Sequence, residues 1–385
     1  MNLRKDVLDL LDGKNPEYVP WFGDLAYWID YLLDEDLMPE QYRQEEYGDK
    51  ARAVTQGLAS PFTGNGLHRL HEDLGVGFYL QGYFPFEAVY DLETTSQETG
   101  NQRITTYVTP YGTLREIWEY IRGTHSWGPK EHLLKDYKDL KAFRYIYEHT
   151  EYKPDYDLAQ KRVERVGNNG IVVVYTPKSP LMELVALKAG IEAVTYMFMD
   201  APEELEETLE AVRKKHDIAA NIAIDSPGEI VFVPDNLSSE IVAGTFYNNY
   251  IKPVHRDWTG RIRLAGKKSF VHLDGLLKPL LSELSNAGFD VIEAVTPAPV
   301  GDVEPEDLRS HVKDQTIIWG GLPGGFFTDE LSDEEFDAFV IRVLKVMKND
   351  NRFVLGAADQ VVPGSSFERI KRVRQLVEKF GKYDL

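Results

Sequence analysis

The chain has 385 residues, 43% apolar and 28% charged, the balance of a globular protein with a sizeable core rather than of a disordered one. Its formal net charge of -20 argues against nucleic acid and anionic membrane as partners, since both call for clustered positive charge. With no cysteine there can be neither a disulfide framework nor a thiolate metal site, so any metal must sit on nitrogen and oxygen.

The N-terminal residues run straight into an amphipathic pattern, Val7, Leu8, Leu10 and Leu11, with acidic residues interspersed. A signal peptide would carry an unbroken apolar region there, and no stretch is apolar enough to span a bilayer, so the expected location is cytoplasmic. Residues 1–165 read as an irregular, aromatic-rich part with insertions, crowding Trp21, Tyr27, Trp28, Tyr31, Phe78, Tyr79, Tyr83, Phe84 and Phe86 between polar turns. Residues 102–120 alternate apolar and polar side chains around Pro110-Tyr111-Gly112, which predicts a β-hairpin with one buried face. Residues 138–147 turn helical.

From 166 to 385 the chain is more regular. Short β-branched runs at 171–175, 229–233, 269–273, 289–293, 316–319 and 353–356 alternate with helical patterns at 201–224, 276–287, 305–312, 333–348 and 366–380. That alternation predicts α/β architecture with a parallel sheet, and the length is compatible with one domain over 1–385, as α/β barrels commonly are. Pro202 followed by Glu203 and Glu204 is a helix start.

In a barrel, the loops after the C-terminal ends of the strands build the active site. Each predicted strand here ends on something chemically useful: Asp235, His272 with Asp274, Glu293, Gly320-Gly321, and Asp359. Any one of these carboxylates could instead cap the following helix, but the set as a whole marks a site. Tyr247, Tyr250 and His255 form a stretch rich in polar aromatics, readable as core packing or as a pocket wall. His68 and His71 stand three apart on one helix face, a spacing more often structural than metal-binding. The run Gly320-Gly321-Leu322-Pro323-Gly324-Gly325 lacks the Lys-Ser/Thr ending of a phosphate loop, so close backbone approach to a ligand is the expectation.

Five segments in order resemble the uroporphyrinogen decarboxylase superfamily, which includes the cobalamin-linked methyltransferases: 13–21 (GKNPEYVPW), 109–114 (TPYGTL), 272–288 (HLDGLLKPLLSELSNAG), 320–325 (GGLPGG) and 353–364 (FVLGAADQVVPG). The resemblance implies a single (β/α)8 TIM barrel with a β-hairpin insertion. True decarboxylases of the superfamily carry an Arg-Gln-Ala-Gly-Arg stretch soon after the first Pro-x-Trp, whereas this chain reads Phe22-Gly23-Asp24-Leu25-Ala26-Tyr27-Trp28. Without those arginines, a polycarboxylate substrate would meet uncompensated repulsion.

The methyltransferase branch is the closer pattern. Its His-x-Cys-Gly zinc motif is similar to His272-Leu273-Asp274-Gly275, and its later cysteine falls on Asp359, so both thiolate positions are carboxylates here. A histidine with carboxylates is a competent site for zinc or another divalent metal, with His272 and Asp359 as ligands and Glu293, one strand along, completing the set. The other reading is a metal-free site with His272 and Asp274 as general acid/base, and Asp235 and Tyr247 are further catalytic candidates. Trp21, Tyr27, Tyr83, Tyr250 and Gly321 would line the substrate. The resemblance further implies a small methylated substrate of methoxy or methylamine type, a corrinoid carried by a partner protein, and a homodimer. The density of Tyr and Trp favours a planar apolar substrate. A cofactor-independent decarboxylase of a smaller acid would need a basic cluster, for which Lys178 and Arg122 are the candidates. A non-catalytic metabolite-binding barrel is the third reading.

Overall fold

The computed structural model describes residues 2–43, 65–79 and 84–383; Tyr83, an expected substrate contact, lies outside them. Seven parallel strands form one curled sheet in the order Trp21–Phe22, Phe353–Ala358, Ile317–Pro323, Val291–Val295, Lys268–Leu273, Ile230–Leu237, Val173–Tyr175. The two outermost strands are each tied to one further segment. Gly77 bridges Phe22 in parallel on one side, and Phe78 bridges Gly170 on the other. The Gly77 amide donates to the Trp21 carbonyl at 2.9 Å, and the Ile171 amide to the Phe78 carbonyl at 3.0 Å. Only glycine lets the backbones approach this closely: a Cβ on Gly170 would lie 1.9 Å from the Phe78 carbonyl oxygen.

Side chains of a strand alternate between the two faces of a sheet, and this alternation divides the core. Phe22, Tyr175, Phe232, Phe270 and Trp319 turn to the concave side, with Trp319 packing edge-on against both Phe22 and Phe270. Helix Leu3–Leu11 adds Leu3, Val7, Leu10 and Leu11 to this inner cluster. Its Arg4 donates to Glu229, just ahead of the Ile230 strand. The convex side carries Val231, Val233, Val271, Ile292, Ile318 and Leu355 against the surrounding helices. Each such fully buried aliphatic side chain contributes about 1.5–3 kcal/mol.

The strong periodic patterns of the second half form the expected elements. The helices run Pro202–Asp225, Lys278–Ala287, Asp333–Met347 and Phe367–Phe380, while Pro305–His311 is a 3-10 helix. The expected hairpin is present as Gln102–Thr109 paired antiparallel with Gly112–Ile121, and it is larger than predicted. Thr94–Thr99 and Ser126–Glu131 extend it to a four-stranded sheet. Two short π-helical stretches, Glu183–Lys188 and Tyr247–Ile251, had no sequence signature. Among the described residues no helix is long and apolar enough to cross a membrane.

Candidate metal centre

His272 is the penultimate residue of the Lys268–Leu273 strand and pairs in register with Glu293 of the neighbouring strand. Both side chains turn to the concave side, above Phe232, whose ring centroid lies 6.1 Å from that of His272. Glu293 is fully buried and accepts two hydrogen bonds, from His272 Nδ1 at 2.6 Å and from the Tyr79 hydroxyl at 2.8 Å. Burial first, and the Glu293 carboxylate second, push the Tyr79 hydroxyl well above its usual range, so it stays a donor.

With Nδ1 committed to Glu293, the other ring nitrogen is left to face the mouth. His272 Nε2 lies 3.3 Å from Asp274 Oδ1 and 3.3 Å from Asp359 Oδ1. One donor atom from each of His272, Asp274 and Asp359 falls within 4.8 Å of the others, a spacing that can close around one cation. A carboxylate on the far nitrogen of a metal-ligating histidine fixes its tautomer and raises its basicity, and Glu293 stands in that place rather than beside the other three donors. The donor set of one imidazole and two carboxylates suits Zn²⁺ or Fe²⁺. Two anionic ligands balance a divalent charge.

Without a cation the same groups share protons. Burial works against a charged His272, but Glu293, Asp274 and Asp359 together outweigh it and hold the imidazole well above its usual range. Burial raises Asp359 to about 8, with Asp274, Glu293 and Asp24 adding to the rise against the pull of His272. Asp274 goes the other way, to about 2, because His272 and the Asn236 amide overcome its desolvation. Two carboxylates of one cluster are thus driven apart, a pattern typical of sites that handle protons or cations.

Around this centre stand residues from three further segments. Asp24 follows the Trp21–Phe22 strand, accepts from the Ala26 amide at 2.8 Å, and is raised to about 7, chiefly by burial and then by Glu293. Tyr27, in the first turn of helix Ala26–Asp34, is pushed to about 12 by burial, with Asp359, Asp24 and Asp274 adding to it. Asn236 donates to Asp274 Oδ2 at 2.8 Å.

Of the residues expected at the site, His272, Asp274, Asp359, Glu293 and Tyr27 come together. Asp235 and Tyr247 are fully buried in a network beside it: His255 Nε2 donates to Asp235 Oδ2 at 2.7 Å, and the Tyr247 hydroxyl lies 3.4 Å from His255 Nδ1. Trp21 is on the convex side, stacked on Phe327 with 6.1 Å between centroids. The Tyr250 hydroxyl donates to Glu206 at 3.2 Å, and its ring packs on Phe198 in the outer helices. A Cβ on Gly321 would point at Phe353 and Val343, and one on Gly320 would lie 2.4 Å from the Val295 carbonyl oxygen. These two glycines therefore admit neighbouring protein atoms rather than a ligand. Arg122 lies in the turn after the Gly112–Ile121 strand of the antiparallel sheet, its charge acting on Asp34. His71 is buried, and its Nδ1 donates to the Val76 carbonyl, 3.3 Å away.

Sequence reasoning missed Asp24, Tyr79 and Asn236. Asp24 follows a strand of two residues, and Tyr79 a two-residue bridge, both too short to register as alternation. Asn236 carried a usable signal: it follows Pro234-Asp235 at the end of a β-branched run, and asparagine is among the few residues that accept a left-handed backbone.

Residues 140–380 match the family model for uroporphyrinogen decarboxylase (URO-D), which is more than half of the chain, and the protein belongs to that family. Among solved structures, a methyltransferase from Methanosarcina mazei is similar over 98% of this chain and 98% of its own, with a TM-score of 0.61 and 14% sequence identity. That likeness concerns the fold. No curated protein matches the sequence.

Proposed function

We propose that this chain is a methyltransferase of the URO-D family on a (β/α)8 barrel whose eighth strand position is taken by Gly77–Phe78, and that it removes a methyl group from a small methylated substrate. The observation that carries this reading is the His272–Asp274–Asp359 cluster, backed by Glu293, at the C-terminal ends of the strands. The methyltransferase from Methanosarcina mazei, alike in fold, supports it.

A methoxy or methylamino carbon is a poor electrophile because the departing oxygen or nitrogen is strongly basic. A divalent ion held by His272, Asp274 and Asp359 would supply Lewis-acid polarisation of that atom. The chain's own residues do the rest. Glu293 and Tyr79 lock the His272 ring, and Asp24, near 7, can give a proton to the leaving atom and take one back at neutral pH. Tyr27 stays protonated and offers a donor and an aromatic edge at the mouth. The methyl group leaves its oxygen or nitrogen for an external nucleophile, and the departing atom keeps the bonding electron pair and acquires the proton. The acceptor in the branch the sequence resembles is a corrinoid on a partner protein. Acids dominate the cluster, Arg122 lies elsewhere, and the buried Lys178 ammonium is taken up by Asn236 and the Pro234 carbonyl, which disfavours decarboxylation of an anionic substrate.

Elemental analysis of protein purified without chelator, wild type beside His272→Ala and Asp359→Ala, tests the reading. About one divalent ion per chain, lost in both variants, is expected. Methyl transfer from methylated phenols and amines to reduced corrinoid is then the activity to measure. A metal-free wild type with no methyl transfer would overturn the proposal.

A further inference from the structure

Asp274 is not held by its own strand, since it lies one residue past the end of Lys268–Leu273 and is half-buried. What holds it is a chain of groups from the Ile230–Leu237 strand and from the loop after Val173–Tyr175. Its amide donates to the Leu237 carbonyl at 2.8 Å, and its Oδ2 accepts from Asn236 Nδ2 at 2.8 Å. Behind Asn236 stands Lys178, only 5% exposed, whose ammonium donates to Asn236 Oδ1 and to the Pro234 carbonyl.

An ammonium has donors and no acceptor, so the group facing it must be the amide oxygen of Asn236. The amide nitrogen is thereby turned to Asp274, and Asp274 Oδ1 to His272. We infer that Lys178 and Asn236 are positioning residues of the metal centre, which set the orientation of Asp274 without touching the ion or the substrate. This rests on the metal-centre reading above and adds residues from outside the ligand cluster.

Two features mark the arrangement as built for orientation. Asn236 holds φ +52°, a left-handed conformation that costs a non-glycine residue free energy and that asparagine tolerates better than most. It is needed to aim the amide between Lys178 and Asp274 while Leu237 rejoins the sheet. Lys178, in turn, is followed by a peptide bond that is held at both its carbonyl and its amide. His216 Nδ1 donates to its carbonyl at 2.8 Å, and the next amide, Ser179, donates to Asp235 Oδ1 at 2.7 Å. The Asp235–His255 pair of the neighbouring network thus fixes where Lys178 begins. An isolated buried lysine is expensive, and a fold that needed only to satisfy the Pro234 carbonyl could do so with a neutral donor.

The test is zinc titration of chelator-treated full-length protein, with thermal unfolding measured in parallel. Lys178→Met removes the ammonium at similar length, and Asn236→Gly removes the amide at a position whose backbone glycine accepts. Each is expected to weaken zinc binding by about tenfold or more, in the range typical of groups behind metal ligands. The double variant is expected to lose less affinity than the sum of the two single losses, because the hydrogen bonds that aim Asp274 run from Lys178 through that amide, although the ammonium also acts on Asp274 directly by its charge. Single variants with wild-type zinc affinity, or losses that add in the double variant, overturn the inference even if both lower the unfolding temperature. Should Lys178→Met fail to fold, unchanged affinity in Asn236→Gly is enough to overturn it and a loss to support it. A wild type that binds no zinc overturns the metal-centre reading itself, and this inference with it.

Discussion

Glu293 carries no exposed surface and makes no contact with solvent, yet it decides which nitrogen of His272 is available to the mouth. Replacing it by glutamine keeps the shape and one acceptor but removes the negative charge that makes the imidazole a better donor. Glu293→Gln is therefore expected to weaken zinc binding by about 10–100-fold, with little change in far-UV circular dichroism. Competition against a chromophoric chelator measures it, and wild-type affinity would assign Glu293 to packing alone. Much of this was legible: His272, Asp274, Glu293 and Asp359 each stand at or just past the end of a β-branched run, and the chemistry of these residue types already pointed to cations. That Glu293 lies behind the histidine rather than beside the other ligands was not legible. A one-dimensional list of strand ends carries no information on which ring nitrogen a carboxylate will meet.

At the scale of elements, the segments that could be read were those long enough to show a period. Asp333–Met347 begins at Ser332, whose hydroxyl accepts from the Glu335 amide while Glu335 reaches back to the Ser332 amide, a capping pair visible as Ser-x-x-Glu. Trp21–Phe22 and the Gly77–Phe78 bridges could not be read, because two residues cannot display alternation, and their extended form is imposed by the strands on either side. Those contacts make a sharp expectation at Gly170. A methyl group there would overlap the Phe78 carbonyl, so Gly170→Ala should part the two segments and lower the unfolding free energy by about 1–3 kcal/mol. Denaturant titration reads this directly, and an unchanged midpoint would mean that the bridge is loose.

For the molecule as a whole, acid stability has an identifiable source. Burial alone would raise Asp235, but the His255 hydrogen bond, its charge and the Ser179 amide outweigh burial and hold the carboxyl below its usual range. A carboxyl depressed in the folded state contributes stability that is present above its unfolded value and is lost as pH falls through the folded one. Unfolding free energy of the wild type should therefore drop below about pH 4, and Asp235→Asn should be less stable at neutral pH but flatter through that range. Parallel slopes for the two proteins would remove Asp235 from the account.

The sequence by itself determined the α/β alternation, the helices and strands from about residue 200 onward, the antiparallel insertion, and the residue types gathered at the strand ends. These follow from periodicity and chemistry, both local properties of the chain. Only the tertiary structure decided that Trp21 faces the helices while Phe22 faces inward, that Tyr250 binds Glu206, and that Asp24, Tyr79, Asn236 and Lys178 join the centre. The reason is physical. Those placements depend on which strands neighbour one another and in what register, and each contact spans tens to hundreds of residues of sequence.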